Sequence, residues 1–359
     1  MEPYMYKIDQ DGDTILILQK ANQPIAAQES DLPWDGALPQ YLTEEARRNE
    51  AEVITRTGRQ HANRREVWMQ LSSSKLALAF PKCRQMTPSN LPDTRSSIAY
   101  KYILLAESWD EKAVELVMNI IHGRTANIPE RISLDMLTKV AVVVAHYECS
   151  EALKPYADKW IAKLDEPFPT SYSRNLVLRL FISWVFADEF DFRELTRVVV
   201  RESRGPMHSL SLPLPERIIK AIDKKRRRII DKLFFSLNEL KKGLGKHSPT
   251  CSSIYPAHSA PSCCTILPDA LVDGLRDVGL ESVPNAQFSG YSIVALEEAL
   301  RRFERPNVAS LLWSCELHGS LCFLPAEVNH VLHGLQLENV QGLDLAQFDG
   351  TGKSVKFDD

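Results

Sequence analysis

The apolar patterns that read as strands all lie before residue 107, and from Ala113 onward the apolar residues recur mainly at helical spacing. Side chains alternate across a strand and recur about every 3.6 residues along a helix, so this switch confines any sheet to the N-terminal part. Everything that follows has to bury itself as helices. The early runs are three. A Gly12-Asp13 turn signal precedes Thr14, Ile15, Leu16, Ile17 and Leu18, a short buried strand. Val67, Met69 and Leu71 alternate as a half-buried strand does, and Tyr100 and Tyr102 to Leu105 form the third. Between the last two, Ser72, Ser73 and Ser74 lead into Leu76, Leu78, Ala79 and Phe80, a helix with a serine hydroxyl expected as its N-cap.

Ala113, Leu116, Val117, Ile120 and Ile121 share one helical face and stop at Gly123, a natural C-cap. Ser133 opens a second helix through Leu137, Val140, Ala141 and Val144, and Ala152 to Leu164 forms a third, closed by Pro167. Further helices are expected at 176–186, 195–200, 216–240, 267–280, 293–303 and 328–337. Residues 22–63 carry Pro24, Pro33, Gly36, Pro39 and a charged patch from Glu44 to Glu52, and read as a polar insertion. The expected organisation is an α+β domain over 1–165 containing that insertion, a helical extension over 166–242, a Ser/Pro/His-rich linker over 243–264, a helical region over 265–350 and a tail over 351–359. No repeat of fixed period is present.

Order resembling this is combined with residues that resemble a family. Tyr6 to Leu18 is similar to the opening strand of BTB/POZ proteins found in filamentous fungi. Ser73-Ser74-Lys75-Leu76-Ala77-Leu78-Ala79 resembles their first helix, and Asn119-Ile120-Ile121-His122-Gly123-Arg124 resembles the end of a later one. Similarity continues through Pro155 to Trp160, Ser171 to Arg174, Leu180 to Phe186, Arg201 to Ser203, Ser314 to Leu317 and Gly342 to Leu345. The chain departs from the family at Phe80-Pro81-Lys82-Cys83, where members usually read Ser-Pro-Val-Phe. The resemblance implies a BTB/POZ-like domain followed by an all-α region, acting as an adaptor or scaffold for other proteins. Many members self-associate or recruit cullin ligases or corepressors; no segment here matches a cullin-binding motif. Contacts are expected at Ile15, Ile17, Leu76 and Phe80, with Lys82 placing a charge beside them, and residues 1–165 are expected to form a weak homodimer through an uncovered strand edge.

Length and composition agree with a folded, multi-domain chain: 359 residues, 44% hydrophobic and 25% charged. The opening Met1 to Lys20 is not a secretory signal, and the longest apolar run, Val140 to Ala145, is far short of the roughly 20 residues that span a bilayer. An intracellular protein of the cytoplasm or nucleus is therefore expected, with no membrane partner. Seven cysteines without a dense framework fit reduced thiols.

Motifs for catalysis are missing. There is no Walker loop, no strand followed by G-x-G-x-x-G and no G-x-S-x-G, so neither an enzyme nor a bound cofactor is expected. His122 and His146 stand at helix ends among apolar residues, where a packed imidazole is favoured over a catalytic base. Cys315, His318 and Cys322 fall at i, i+3 and i+7, one face if that segment is helical, and are candidate zinc ligands, though their spacing follows no known zinc pattern and buried thiols are the favoured reading. Charge is uneven: residues 1–60 carry six Lys/Arg against eleven Asp/Glu, 193–246 fifteen against six, and 269–359 six against fourteen. The run Lys224, Lys225, Arg226, Arg227, Arg228 is read first as a helix's solvated face, then as a localisation signal. A DNA-associated regulator using this run is the rival function, although no aromatics interleave with it and nucleic acid is not the expected partner.

Overall fold

The computed structural model describes residues 4–22, 66–81, 100–278, 280, 288–301, 324–337 and 340–348, except 245–259. The fold is α+β, a four-stranded sheet near the N-terminus followed by helices. Two compact units form: Met1–Leu195, His208–Glu216 and Leu343–Asp359 make the first, Thr196–Met207 and Arg217–Gly342 the second.

In the first unit β1 (Tyr4–Lys7), β2 (Thr14–Gln19), β3 (Val67–Leu71) and β4 (Tyr102–Glu107) lie in the order β1-β3-β2-β4. β2 runs antiparallel to β3 with Leu16 opposite Met69, while β1–β3 and β2–β4 are parallel, with Tyr6 opposite Met69 and Leu16 opposite Leu104. This register puts Leu16, Leu18, Val67, Met69, Leu71 and Ala106 on one face, and all six are buried. Ile15, Trp68 and Tyr100 cluster on the other, with Met5, Ile17 and Ile103 packed around them. β1 escapes the sequence reading because Tyr-Met-Tyr-Lys is short and its partner is some sixty residues away. Gly12 is obligatory at the turn before β2, since a Cβ there would run into the Leu71 carbonyl.

Helix α1 (Ser73–Ala79) follows β3 directly, α2 (Glu111–Ile121) follows β4, and α3 (Leu134–Tyr147), α4 (Ser150–Ala162) and α5 (Arg174–Val185) follow in turn. Asp110 caps α2 by accepting from the N–H groups of Lys112 and Ala113, and Ser133 caps α3 as expected. α3 is apolar on more than one side: Leu137, Val140, Ala141, Val143 and Val144 are all buried, and α2, α4 and α5 pack against it. That is why compactness does not end at residue 165. α5 and the start of α6 (Glu189–Glu202) belong to the first unit, as does the short turn Leu345–Phe348, whose Phe348 packs edge-on to Trp184 and Phe192.

The second unit is built on α7 (Glu216–Leu244), 29 residues long, with α8 (Ala260–Asp277), α9 (Ile293–Arg301) and α10 (Leu324–Leu335). Of the linker expected over 243–264, residues 245–259 lie outside the described residues, and helices reach into both of its ends. α7 runs to Leu244 and α8 starts at Ala260, with Pro261 in its first turn, where a proline removes no intrahelical bond.

Candidate protein-interaction surface

Seven residues are too few for a helix to hold itself, so α1 depends on groups from elsewhere. The serine hydroxyls expected to cap it do not: Ser72 and Ser74 hydroxyls bond each other at 2.8 Å. Asp13 caps it from the turn before β2, accepting from the Ser73 N–H and hydroxyl, both at 2.8 Å. Burial pushes the Asp13 carboxyl up, but these hydrogen bonds outweigh it and leave the group below its ordinary value. The Ser72 N–H goes to His122 Nε2 at 3.0 Å, while His122 Nδ1 donates to the Met118 carbonyl at 2.8 Å. Both ring nitrogens are thus engaged, which fixes the neutral tautomer, and burial lowers the imidazole's pKa below 6.5.

His122-Gly123-Arg124 works as one junction. Gly123 takes φ +72°, turning the chain at the end of α2, and Arg124 then donates to the carbonyls of Lys7 and Ile8 at 2.8 and 3.2 Å. Lys75 pairs with Asp9 at 2.9 Å. The end of α2, the β1–β2 turn and α1 are therefore pinned together by residues that the sequence places 50 to 117 apart.

This anchoring corrects the expected contact residues. Ile15, Leu76 and Phe80 are fully buried and cannot meet a partner. Leu76 and Phe80 stand one turn apart on the inward side of α1, where Phe80 stacks on Tyr147 at 4.5 Å. Ile17 is half-buried against the Ile15 cluster, and Lys82 lies outside the described residues. What α1 offers solvent is Leu78, 80% exposed, and β4 adds Leu105 at 71% from a strand that is the last of its sheet among the described residues.

The basic run is also divided, because α7 packs through Ile218, Ile222, Ile230, Leu233 and Leu237. Arg226 falls on that stripe, four residues from Ile222 and from Ile230, and is fully buried. Its guanidinium meets one Asp223 oxygen at 2.8 and 3.1 Å and the carbonyls of Phe288 and Tyr291 at 3.0 Å. Arg227 lies 2.9 Å from the other Asp223 oxygen, and Lys225 donates to the Gly342 carbonyl at 2.9 Å. Only Lys224 and Arg228 of the five are exposed, so neither a wholly solvated face nor an accessible five-residue signal describes the run. The apolar phase of α7 was the signal that could have shown this.

Between α9 and α10 lies a cleft of about 300 Å³ lined by Glu297, Arg301, Asn329, Leu332, His333 and Gln336. Its carboxylate, Glu297, is occupied by Arg201 at 3.1 Å and Arg301 at 2.8 Å. Cys315, His318 and Cys322 lie outside the described residues, among which no group of three His, Cys, Asp or Glu side chains could hold a metal. Among the same residues no helix is long and apolar enough to cross a membrane.

No family model, curated protein or solved structure matches this chain.

Proposed function

We propose that the chain is a non-enzymatic adaptor or scaffold that binds other proteins through a BTB/POZ-like N-terminal module. What supports the reading is the element order β2, β3, α1, β4 and three helices, together with the residues of that family's motifs, which meet at the His122 junction. The observation that carries it is Leu78. It is the most exposed of the large apolar side chains on the described surface, on a helix held rigidly by Asp13, His122, Leu76 and Phe80. An apolar side chain fixed outward on a rigid element loses little entropy on docking, which suits it to anchor a protein contact. A weak homodimer through the same module is part of the proposal, and Leu105 on β4 supplies further apolar surface for it. The rival, a DNA-associated regulator using 224–228, is disfavoured by the three cations of that run that the fold itself engages.

The test compares proteins co-purifying with the wild-type chain and with Leu78→Asp, quantified side by side, after thermal unfolding has shown equal stability. The adaptor reading expects a set of specific partners to fall at least tenfold in the variant. An unchanged set overturns the role of α1.

A further inference from the structure

α7 carries two populations of cations that differ in what they do. Lys225, Arg226 and Arg227 are engaged within the second unit. Lys224, Arg228 and Lys232 are exposed, and among the described residues their side chains form no ion pair or hydrogen bond. They stand at i, i+4 and i+8, one per turn on a single stripe, about 6 Å apart along the axis by the helical rise of 1.5 Å per residue. Stacked like charges at this spacing weaken a helix rather than support it, so the fold gains nothing from the arrangement. The same stripe continues to Phe235, 63% exposed, seven residues after Arg228. Buried apolar residues on the opposite side already secure the helix, so Phe235 is not needed there.

We propose that this stripe docks an acidic segment of a partner protein, its carboxylates on Lys224, Arg228 and Lys232 and an apolar side chain of the segment against Phe235. A partner helix with acidic residues four apart repeats at the same interval as the cations, so three ion pairs form in register and Phe235 supplies the apolar anchor that an electrostatic contact lacks. Nucleic acid fits the stripe less well. Asp231 and Glu239, exposed on the same side, break the continuous basic surface that an unbroken run of phosphates needs while leaving three separate positions for single carboxylates, and a single phenylalanine beyond the cations gives no stacking series. The inference rests on reading the chain as a protein-binding adaptor, yet it concerns α7 alone. A Leu78→Asp protein should retain it, so the two can fail separately.

The experiment uses the full chain and a fluorescein-labelled helical peptide with Glu at three positions four apart and a Leu one turn beyond, its all-Gln counterpart, and a 20-base-pair duplex DNA. Fluorescence anisotropy at 50 and 200 mM salt should show binding of the Glu peptide that weakens with salt and at least tenfold weaker binding of the Gln peptide. Lys224→Gln/Arg228→Gln/Lys232→Gln should reduce affinity for the Glu peptide at least tenfold. Phe235→Ser should reduce it about threefold with the salt dependence unchanged. All four positions are exposed, so circular dichroism should match wild type. The proposal is overturned if the Glu peptide fails to bind at 100 µM, if the Gln peptide binds equally, if the triple variant binds as wild type does, or if the DNA binds more tightly than the peptide.

Discussion

α1 and α7 are opposite solutions to holding a helix in place. α1 has seven residues and no cap of its own, and it is located by Asp13, 60 residues before Ser73, and His122, 50 residues after Ser72. α7 has 29 residues, a continuous apolar stripe and pairs along its own length, Asp223 with Arg226 and Glu239 with Lys242. A helix shorter than about 12 residues is marginal alone, so the position of α1 is a property of the whole first unit. α7 has the length and local pairs to form a helix early, and it is tied to remote backbone through Arg226 and Lys225.

The comparison breaks first at Arg226. Arg226→Ala leaves Asp223 with a diminished counter-charge, the Tyr291 carbonyl without its Arg226 donor and the Phe288 carbonyl with only the Tyr291 N–H, and should cost about 3–5 kcal/mol. Denaturant unfolding followed by far-ultraviolet circular dichroism measures it; a loss below 1 kcal/mol would mean that α7 does not need the contact. Asp13→Ala comes next. It removes a charged acceptor from two donors of α1 and should cost about 1.5–3 kcal/mol.

His122 gives a smaller, pH-dependent effect. Its folded pKa is lowered by burial, so between that value and the unfolded 6.5 the unfolded chain binds the proton and the folded chain does not. The stabilisation is complete above 6.5 and is lost as pH falls through the folded value, where a protonated ring would set Nε2–H against the Ser72 N–H. Unfolding free energies measured from pH 7 to pH 4.5 should show this component, and His122→Gln should lack it. Leu78→Ser is the smallest, within about 0.5 kcal/mol, because the side chain is solvated already. A larger loss would show that Leu78 supports the fold.

Sequence made the elements readable wherever their stabilising partners are local. The apolar faces of α2, α3 and α7 and the runs of β2, β3 and β4 are visible in it because burial imposes a period on consecutive residues. The proposed interaction surface is less legible. On a helix as short as α1 the apolar residues Leu76, Leu78 and Phe80 do not declare which side faces in, and the phase came only from the packing of Phe80 on Tyr147. The sequence points to nearby serines as the cap because a neighbouring hydroxyl is visible in it and a carboxylate 60 residues away is not. Arg226 is the reverse case: the apolar stripe named it, but membership in a charge run hid it.

The strand order carries a consequence for how the chain acquires its shape. β1 and β2 follow each other closely yet do not pair; β2 waits for Val67 to meet Leu18 and for Glu107 to meet Gln19. During synthesis the apolar strand Thr14–Gln19 therefore emerges long before either neighbour exists, and the sheet closes only after residue 107 has left the ribosome. Such distant pairings are slow to form, whereas the backbone bonds of α3, α4 and α7 join residues only four apart. Refolding from denaturant should recover helical ellipticity before Trp68 reaches its buried fluorescence, and the nascent N-terminus is the stretch where a chaperone would be of most use.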